Sequence, residues 1–167
     1  MSKTPQNLKD AFSGESQANR TYLAFAKKAE QEGLPQIAKL FRAAAHAETV
    51  HALNHLELTE KTKSSLENLK TAVSGETFEF NEMYPKYIET AKEEGNKKAT
   101  WSFDVANKVE KIHAKLFSKA IENLKNNKVV ANINYYVCEV CGNTVEGVAP
   151  ERCPICGAPK KQFTPIQ

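Results

Sequence analysis

Two Glu-x-x-His pairs constrain the fold of this chain more than any other feature. Glu48-Thr49-Val50-His51 and Glu110-Lys111-Ile112-His113 each begin 15 residues after a glycine, Gly33 and Gly95. Tyr22 and Tyr84 each precede that glycine by 11 residues. Ser13-Gly14-Glu15 is echoed by Ser74-Gly75-Glu76, one residue out of step with the other matches. A repeat of this kind reads as a duplicated helix pair. Residues three apart share one face of a helix, so each pair presents a carboxylate and an imidazole side by side.

Start and stop signals divide residues 5–126 into four helices of about 25 to 30 residues, enough for a four-helix bundle. Thr4 followed by Pro5 predicts an N-cap with proline at the first helical position. Gly33 closes the first helix and Pro35 opens the second. Ser64 with Glu67 predicts a capping box for the third. Gly95 ends that helix and Asn96 caps the fourth. Pro85 lies inside the third helix. Its ring cannot continue the hydrogen-bond ladder, so a kink or an extra-residue bulge is expected there.

Each apolar stripe is interrupted near its middle by charge. Leu8, Phe12, Glu15, Asn19, Tyr22, Ala26 and Ala29 form the first stripe. Ile37, Phe41, Ala44, Glu48, His51, His55 and Leu58 form the second. Ala99, Phe103, Ala106, Glu110, His113, Phe117, Ala120 and Leu124 form the fourth. The third helix carries Glu79 and Glu82. Burying an ionised carboxylate without a compensating charge costs several kcal/mol. A pair of divalent cations removes that cost. Di-metal carboxylate bundles combine a Glu from each of two helices with Glu-x-x-His from the other two, and oxygen ligands with two imidazoles favour iron or manganese over copper. His55 is read as a non-ligand, since Phe117 stands in its repeat position, and His46 lies off the stripe. Trp101, with Val105, Ile112 and Leu116, makes a second apolar face expected at a subunit interface.

The composition changes after residue 128. A β-prone run, Val129–Val137, leads into all four cysteines of the chain, which lie between 138 and 156. Cys138-Glu139-Val140-Cys141-Gly142 and Cys153-Pro154-Ile155-Cys156-Gly157 are two knuckles separated by 11 residues. Four thiolates so arranged bind one zinc or one iron tetrahedrally. Beside a redox-active metal pair, iron is the reading that gives the tail a purpose beyond folding. The tail is too short to hold a core without a metal. The expected architecture is an all-α four-helix bundle over 1–133 and a small metal-bound β module over 134–167.

These motifs resemble the rubrerythrins, in which a ferritin-like bundle precedes a rubredoxin-like tail. Gly14-Glu15-Ser16-Gln17-Ala18, the two Glu-x-x-His pairs, Gly75–Pro85 and the two CxxCG knuckles carry the resemblance across nearly the whole chain. It implies two iron ions in the bundle and one in the tail. Glu48 and Glu110 would bridge the pair, Glu15 and Glu79 would be terminal ligands, and His113 a fixed ligand of one iron. Glu82 and His51 would exchange on the other iron, the carboxylate when oxidised and the imidazole when reduced. Glu76 is the rival of Glu79, because the Ser-Gly-Glu echo points to it. Tyr22 and Tyr87 are expected to support the carboxylates. Cys138, Cys141, Cys153 and Cys156 would hold the tail iron.

The function so implied is reduction of hydrogen peroxide to water, with electrons fed through the tail from an NAD(P)H-linked reductase or a rubredoxin. A homodimer is expected, with exchange of helices between copies as an option, and of the two bundles the tail could reach, its own or the partner's, the resemblance favours the partner's. An iron-oxidising or iron-storing protein is the alternative, and a bundle with a structural zinc tail a third reading. The net charge is +3, from 23 basic and 20 acidic residues, without a basic block, which argues against nucleic acid. No apolar run approaches the ~18 residues of a membrane span, and no signal-peptide core follows Met1. A cytoplasmic protein is therefore expected.

Overall fold

The structure, a computed structural model, describes residues 2–126 and 132–166. The chain divides into two compact units, Met1–Lys63 and Ser64–Gln167.

The first unit is a helical hairpin of α1 (Thr4–Gln31) and α2 (Pro35–Leu58). Thr4 is the first helical residue and Lys3 occupies the cap, without a side-chain cap bond. This differs from the expected Thr4 cap. Pro5 still falls in the first turn, where its missing N–H would have no intrahelical partner anyway. Gly33 turns the chain at φ +73°, in the left-handed region that glycine enters without steric cost. The seam between the helices is lined by Ala26, Ala29, Ala38, Ala45 and Ala52, all buried. Small residues here let the two backbones approach closely. One polar residue joins them: buried Asn19 donates its amide to the Ala45 carbonyl at 2.6 Å and to Thr49 Oγ1 at 2.8 Å. The large apolar residues Phe25, Ile37, Leu40, Val50, Leu53 and Leu58 stay exposed.

The second unit begins with α3 (Ser65–Phe78), opened by the expected capping box. Ser64 accepts from the Glu67 backbone N–H at 3.3 Å, and the Glu67 carboxylate accepts from the Ser64 N–H at 3.4 Å. A π-helical turn, Glu79–Met83, follows, and then α4 (Tyr84–Glu93). The Tyr84 N–H donates to the Glu79 carbonyl five residues back. Widening the turn by one residue lets the chain pass Pro85, which has no N–H to donate. This is the extra-residue bulge expected at Pro85. It also explains the slip in the repeat, because the added residue lies between the early match, Glu76, and the later ones from Tyr84 onward. Gly95 (φ +68°) ends α4, and Asn96 caps α5 (Lys97–Lys125) by accepting from the Ala99 N–H at 3.1 Å. Val105, Val109 and Ala114 of α5 are buried, whereas Trp101 is half exposed. The predicted face of Trp101 and Val105 is thus not a single exposed surface.

The tail belongs to the second unit. Its sheet has the order β2 (Thr144–Glu146), β1 (Tyr135–Cys138), β3 (Phe163–Ile166), antiparallel throughout. The β-prone run is a strand from Tyr135; its start at 129–131 lies outside the described residues. Cys138, Ala149, Cys153, Ala158 and Phe163 form the tail's core. Four of these five residues are cysteine or alanine, so little apolar area holds it without a metal.

Candidate metal centres

The α1–α2 hairpin brings Glu15, Glu48 and His51 together, with one ligand atom from each within 4.8 Å of the others. His51 Nδ1 lies 2.9 Å from Glu48 Oε2. Helical spacing places the latter two on one face, and packing of the hairpin places Glu15 opposite. Glu48 is 18% exposed and His51 54% exposed, so this cluster has an open side.

The second unit builds the matching cluster from Glu76, Glu110 and His113, again within 4.8 Å. His113 Nδ1 lies 2.7 Å from Glu110 Oε2 and 3.9 Å from Glu76 Oε1. Burial pushes the Glu76 carboxyl up to about 7, helped by the negative charge and hydrogen bond of Glu110 and the charge of Glu79. Burial, and then the Glu110 charge, also raises the Glu79 carboxyl, against a smaller lowering by His113. Such a cluster stores anionic charge that a cation would neutralise.

The sequence reading set Glu76 behind Glu79, yet Glu76 is the residue that groups with Glu110 and His113. Its signal was the Ser-Gly-Glu echo. Glu79 stands one turn on, at the start of the π-helical turn, close enough to feel Glu110 and His113. Glu82 joins no such cluster among the described residues. Tyr84, not singled out as a supporting tyrosine, is the one near the acids. Its hydroxyl is raised first by burial, then by Glu110, Glu79 and Glu76. Its matched spacing to Tyr22 could have found it. Tyr87 packs on Phe103 at 5.6 Å between ring centroids and on Tyr84 at 6.4 Å, and is half exposed. Tyr22 packs against Phe41 at 6.2 Å.

The four cysteines converge in the tail. Cys138 Sγ is 3.7 Å from Cys156 Sγ, and Cys141 Sγ is 3.6 Å from Cys153 Sγ. A tetrahedron with metal–sulfur bonds of about 2.3 Å has edges of about 3.8 Å, whereas a disulfide needs about 2.05 Å. The cage fits one metal ion. Its two knuckles are hydrogen-bonded alike. The Gly142 and Gly157 N–H groups donate to the Cys138 and Cys153 carbonyls, at 2.8 and 2.9 Å. Both glycines have positive φ, +79° and +77°. Burial alone would raise the Cys153 thiol. The backbone N–H groups of Cys156 and Ile155, with bonds from the Cys141 and Cys156 side chains, outweigh it and bring the group down to about 7. Buried Asn143 adds a side-chain amide to Cys153 Sγ at 3.6 Å. Burial pushes the Cys141 and Cys156 thiols up. Four neighbouring sulfurs cannot all ionise unless a cation sits between them.

The tail rests on α5 of its own unit. A Cβ on Gly142 would stand 3.9 Å from Val109 Cγ1. Thr144 Oγ1 is 3.0 Å from His113 Nε2. Glu146 pairs with Lys119, whose ammonium that bond holds above its usual range. The cysteine cage therefore adjoins the cluster that contains His113.

Residues 6–121 match the family profile Rubrerythrin, and residues 136–164 match Rubrerythrin, rubredoxin-like domain. The chain is 37% identical to Rubrerythrin-2 of Clostridium acetobutylicum, over 96% of this chain and 95% of the relative. It is 35% identical to Nigerythrin of Nitratidesulfovibrio vulgaris, over 96% of this chain and 85% of the relative. Among solved structures, partially reduced nigerythrin superposes with a TM-score of 0.60 at 35% identity, covering 99% of this chain and 88% of that one. Carboxylate–imidazole clusters on paired helices, a cage of four thiolates and these matches agree: the chain belongs to the rubrerythrin family of oxidoreductases, with a di-iron site in its helices and a rubredoxin-like iron site in its tail.

Proposed function

We propose that this protein is a peroxidase that reduces hydrogen peroxide to water. The observation that carries the reading is the seating of the cysteine cage against His113, which joins a one-electron site to a cluster suited to a metal pair. When bound, two ferrous ions supply two electrons, which with two protons convert one peroxide into two waters. Glu15, Glu48 and His51 hold one part of the pair, and Glu76, Glu110 and His113 the other. Glu79 stands within reach without belonging to a cluster, which suits a carboxylate that joins when the charge on the metals rises and withdraws when it falls. Tyr84 keeps its proton beside three acids and can hold or donate it at Oη. The thiolate cage takes electrons singly from an NAD(P)H-linked reductase or a rubredoxin.

The functional domains are 1–133 for the bundle and 134–167 for the tail. The working protein is a homodimer that exchanges helix pairs. The open side of His51 and the exposed apolar residues of α1 and α2 support completion of each bundle by a second copy. No helix among the described residues is long and apolar enough to cross a membrane, which supports a cytoplasmic location.

The test is anaerobic. The reduced protein receives one equivalent of hydrogen peroxide or of dioxygen, and the red absorbance of the ferric tail is followed. Rapid reddening with peroxide alone supports the reading. Equal response to dioxygen, or retention of excess iron as mineral, sinks it in favour of iron oxidation. Sedimentation at micromolar concentration tests the dimer; a metal-loaded monomer rules out exchange.

A further inference from the structure

The duplicated helix pairs carry one groove in two versions. Carrying the match of Glu15 with Glu76 along α1 and α3 sets Asn19 against Phe80. Carrying that of Glu48 with Glu110 along α2 and α5 sets Thr49, Ala52 and Leu53 against Lys111, Ala114 and Lys115. Asn19, Thr49, Ala52 and Leu53 line a groove of about 150 Å³ on the first hairpin. The bonds from the Asn19 amide to the Ala45 carbonyl and to Thr49 Oγ1 draw it closed. Their counterparts Phe80, Lys111, Ala114 and Lys115 line a cleft of about 520 Å³ in the second unit. Phe80 and Lys111 cannot form the polar clamp. The Lys111 ammonium lies over the Phe80 ring instead, 5.7 Å from its centroid, and the groove stands open.

The open version is also the basic one. Lys111, Lys115 and Lys119 stand one turn apart on α5 and line the cleft along about 12 Å of helix. Like charges four residues apart weaken a helix, so the row is not explained by the helix that bears it. Thr49, Leu53 and Glu57 hold the same positions in α2. Lys108, one turn from the cleft, pairs with Asp104. Lys111 and Lys115 have no carboxylate partner among the described residues. Lys119 shows what the row can hold, because it pairs with Glu146 on β2 of the tail. Glu122 bounds the cleft beyond Lys119. The cleft is therefore continuous with the contact between α5 and the tail, and two of its three ammoniums are left for carboxylates from elsewhere.

We propose that this cleft is the docking surface of an acidic one-electron donor protein. Carboxylates of the donor take Lys111 and Lys115 as Glu146 takes Lys119, above the apolar floor of Val73 and Ala114. A donor seated there borders β2 and passes its electron to the cysteine cage. The donor's iron goes from ferrous to ferric and the tail iron from ferric to ferrous, with no proton moved. The inference rests on the reading that a protein donor feeds the tail, and deepens it by naming the surface and the charge of that donor.

Binding is read first, without turnover. The full chain, zinc-loaded and 15N-labelled, is titrated with zinc-substituted rubredoxin of net negative charge. The amides of Lys111–Lys119 are expected to shift, and the Kd to rise about 10-fold in the double variant Lys111→Gln/Lys115→Gln. Arginine at both positions restores it to within about twofold. With the iron-loaded protein, peroxide and an excess of reduced rubredoxin, the KM for rubredoxin rises by the same factor while kcat stays within about twofold. Raising the salt from about 0.05 M to about 0.5 M weakens wild-type binding more than that of the double variant. Wild-type affinity that ignores salt overturns the proposal even if the variant fails to fold. So does a double variant that binds as wild type does, or shifts confined to the tail. A double variant whose own sedimentation changes in the absence of rubredoxin assigns the cleft to a second copy and overturns it too. A wild-type protein that reduces peroxide yet neither binds nor oxidises rubredoxin sinks the protein-donor reading and this proposal together, whereas the other adverse results sink the proposal alone.

Discussion

Glu76 and Glu110 converge on one imidazole, with His113 Nδ1 3.9 Å from Glu76 Oε1 and 2.7 Å from Glu110 Oε2. The Glu76 group is pushed up to about 7 from 4.5, first by burial and then by its neighbour. A raised acid contributes stability below its unfolded value and loses it as pH rises through the folded value. The metal-free protein should therefore melt higher at pH 5.5 than at pH 8, by about 3 °C for each kcal/mol involved. Glu76→Gln should flatten that dependence. In the metal-loaded protein the sign reverses, because protons compete with the metal below about pH 7. Calorimetric melting of stripped and reloaded protein across this range checks both limbs.

Glu79 and Glu82 separate two versions of the bundle chemistry. Glu79→Ala should slow peroxide turnover about 10- to 100-fold while both irons stay bound. Glu82→Ala, at a residue that joins neither cluster among the described residues, should turn over within about twofold of wild type. Metal content by elemental analysis and single-turnover kinetics distinguish them. The reverse pattern would restore Glu82 as the exchanging carboxylate.

Asn143 donates its amide to Cys153 Sγ from a fully buried position, and its Oδ1 finds no partner among the described residues. Donation to a thiolate stabilises the ferrous state, which carries more negative charge, and so raises the potential. Asn143→Leu should lower the tail's midpoint by about 50 mV, the equivalent of a little over 1 kcal/mol for one electron. It also removes the orphaned oxygen, so the fold should not suffer in proportion. Redox titration followed by visible absorbance gives the answer.

Ser64 caps α3 through a two-way bond with Glu67. Ser64→Ala should cost about 1 kcal/mol and lower the melting temperature by about 3 °C, with the tail iron unaffected. Loss of tail colour at the same temperature shift would mean that the cap bears on more than its own helix.

Local chemistry wrote much of this protein into its sequence. Glycine's freedom at φ +73° and +68° ended α1 and α4 where Gly33 and Gly95 stand. Ser64 and Asn96 marked helix starts, because a short polar side chain satisfies free N–H groups wherever it occurs. The two knuckles announced their cage, since four sulfurs at that spacing have few other uses. The repeat even registered the inserted residue of the π-helical turn as a slip after Glu76. What the spacing could not resolve was which glutamate of the third helix faces α5. Glu76, Glu79 and Glu82 are each one turn apart along an ordinary helix, so periodicity ranks them equally. The widened turn at Glu79–Met83 breaks that equivalence, and only packing of α3 and α4 on α5 selected Glu76 and brought Tyr84 to the acids. The bond from Thr144 to His113 lay further out of reach. The two residues are 31 apart in sequence, and no local propensity sets the distance between a strand and a helix. That distance follows from the seating of β2 on α5, held by the Glu146–Lys119 pair, which belongs to tertiary structure alone.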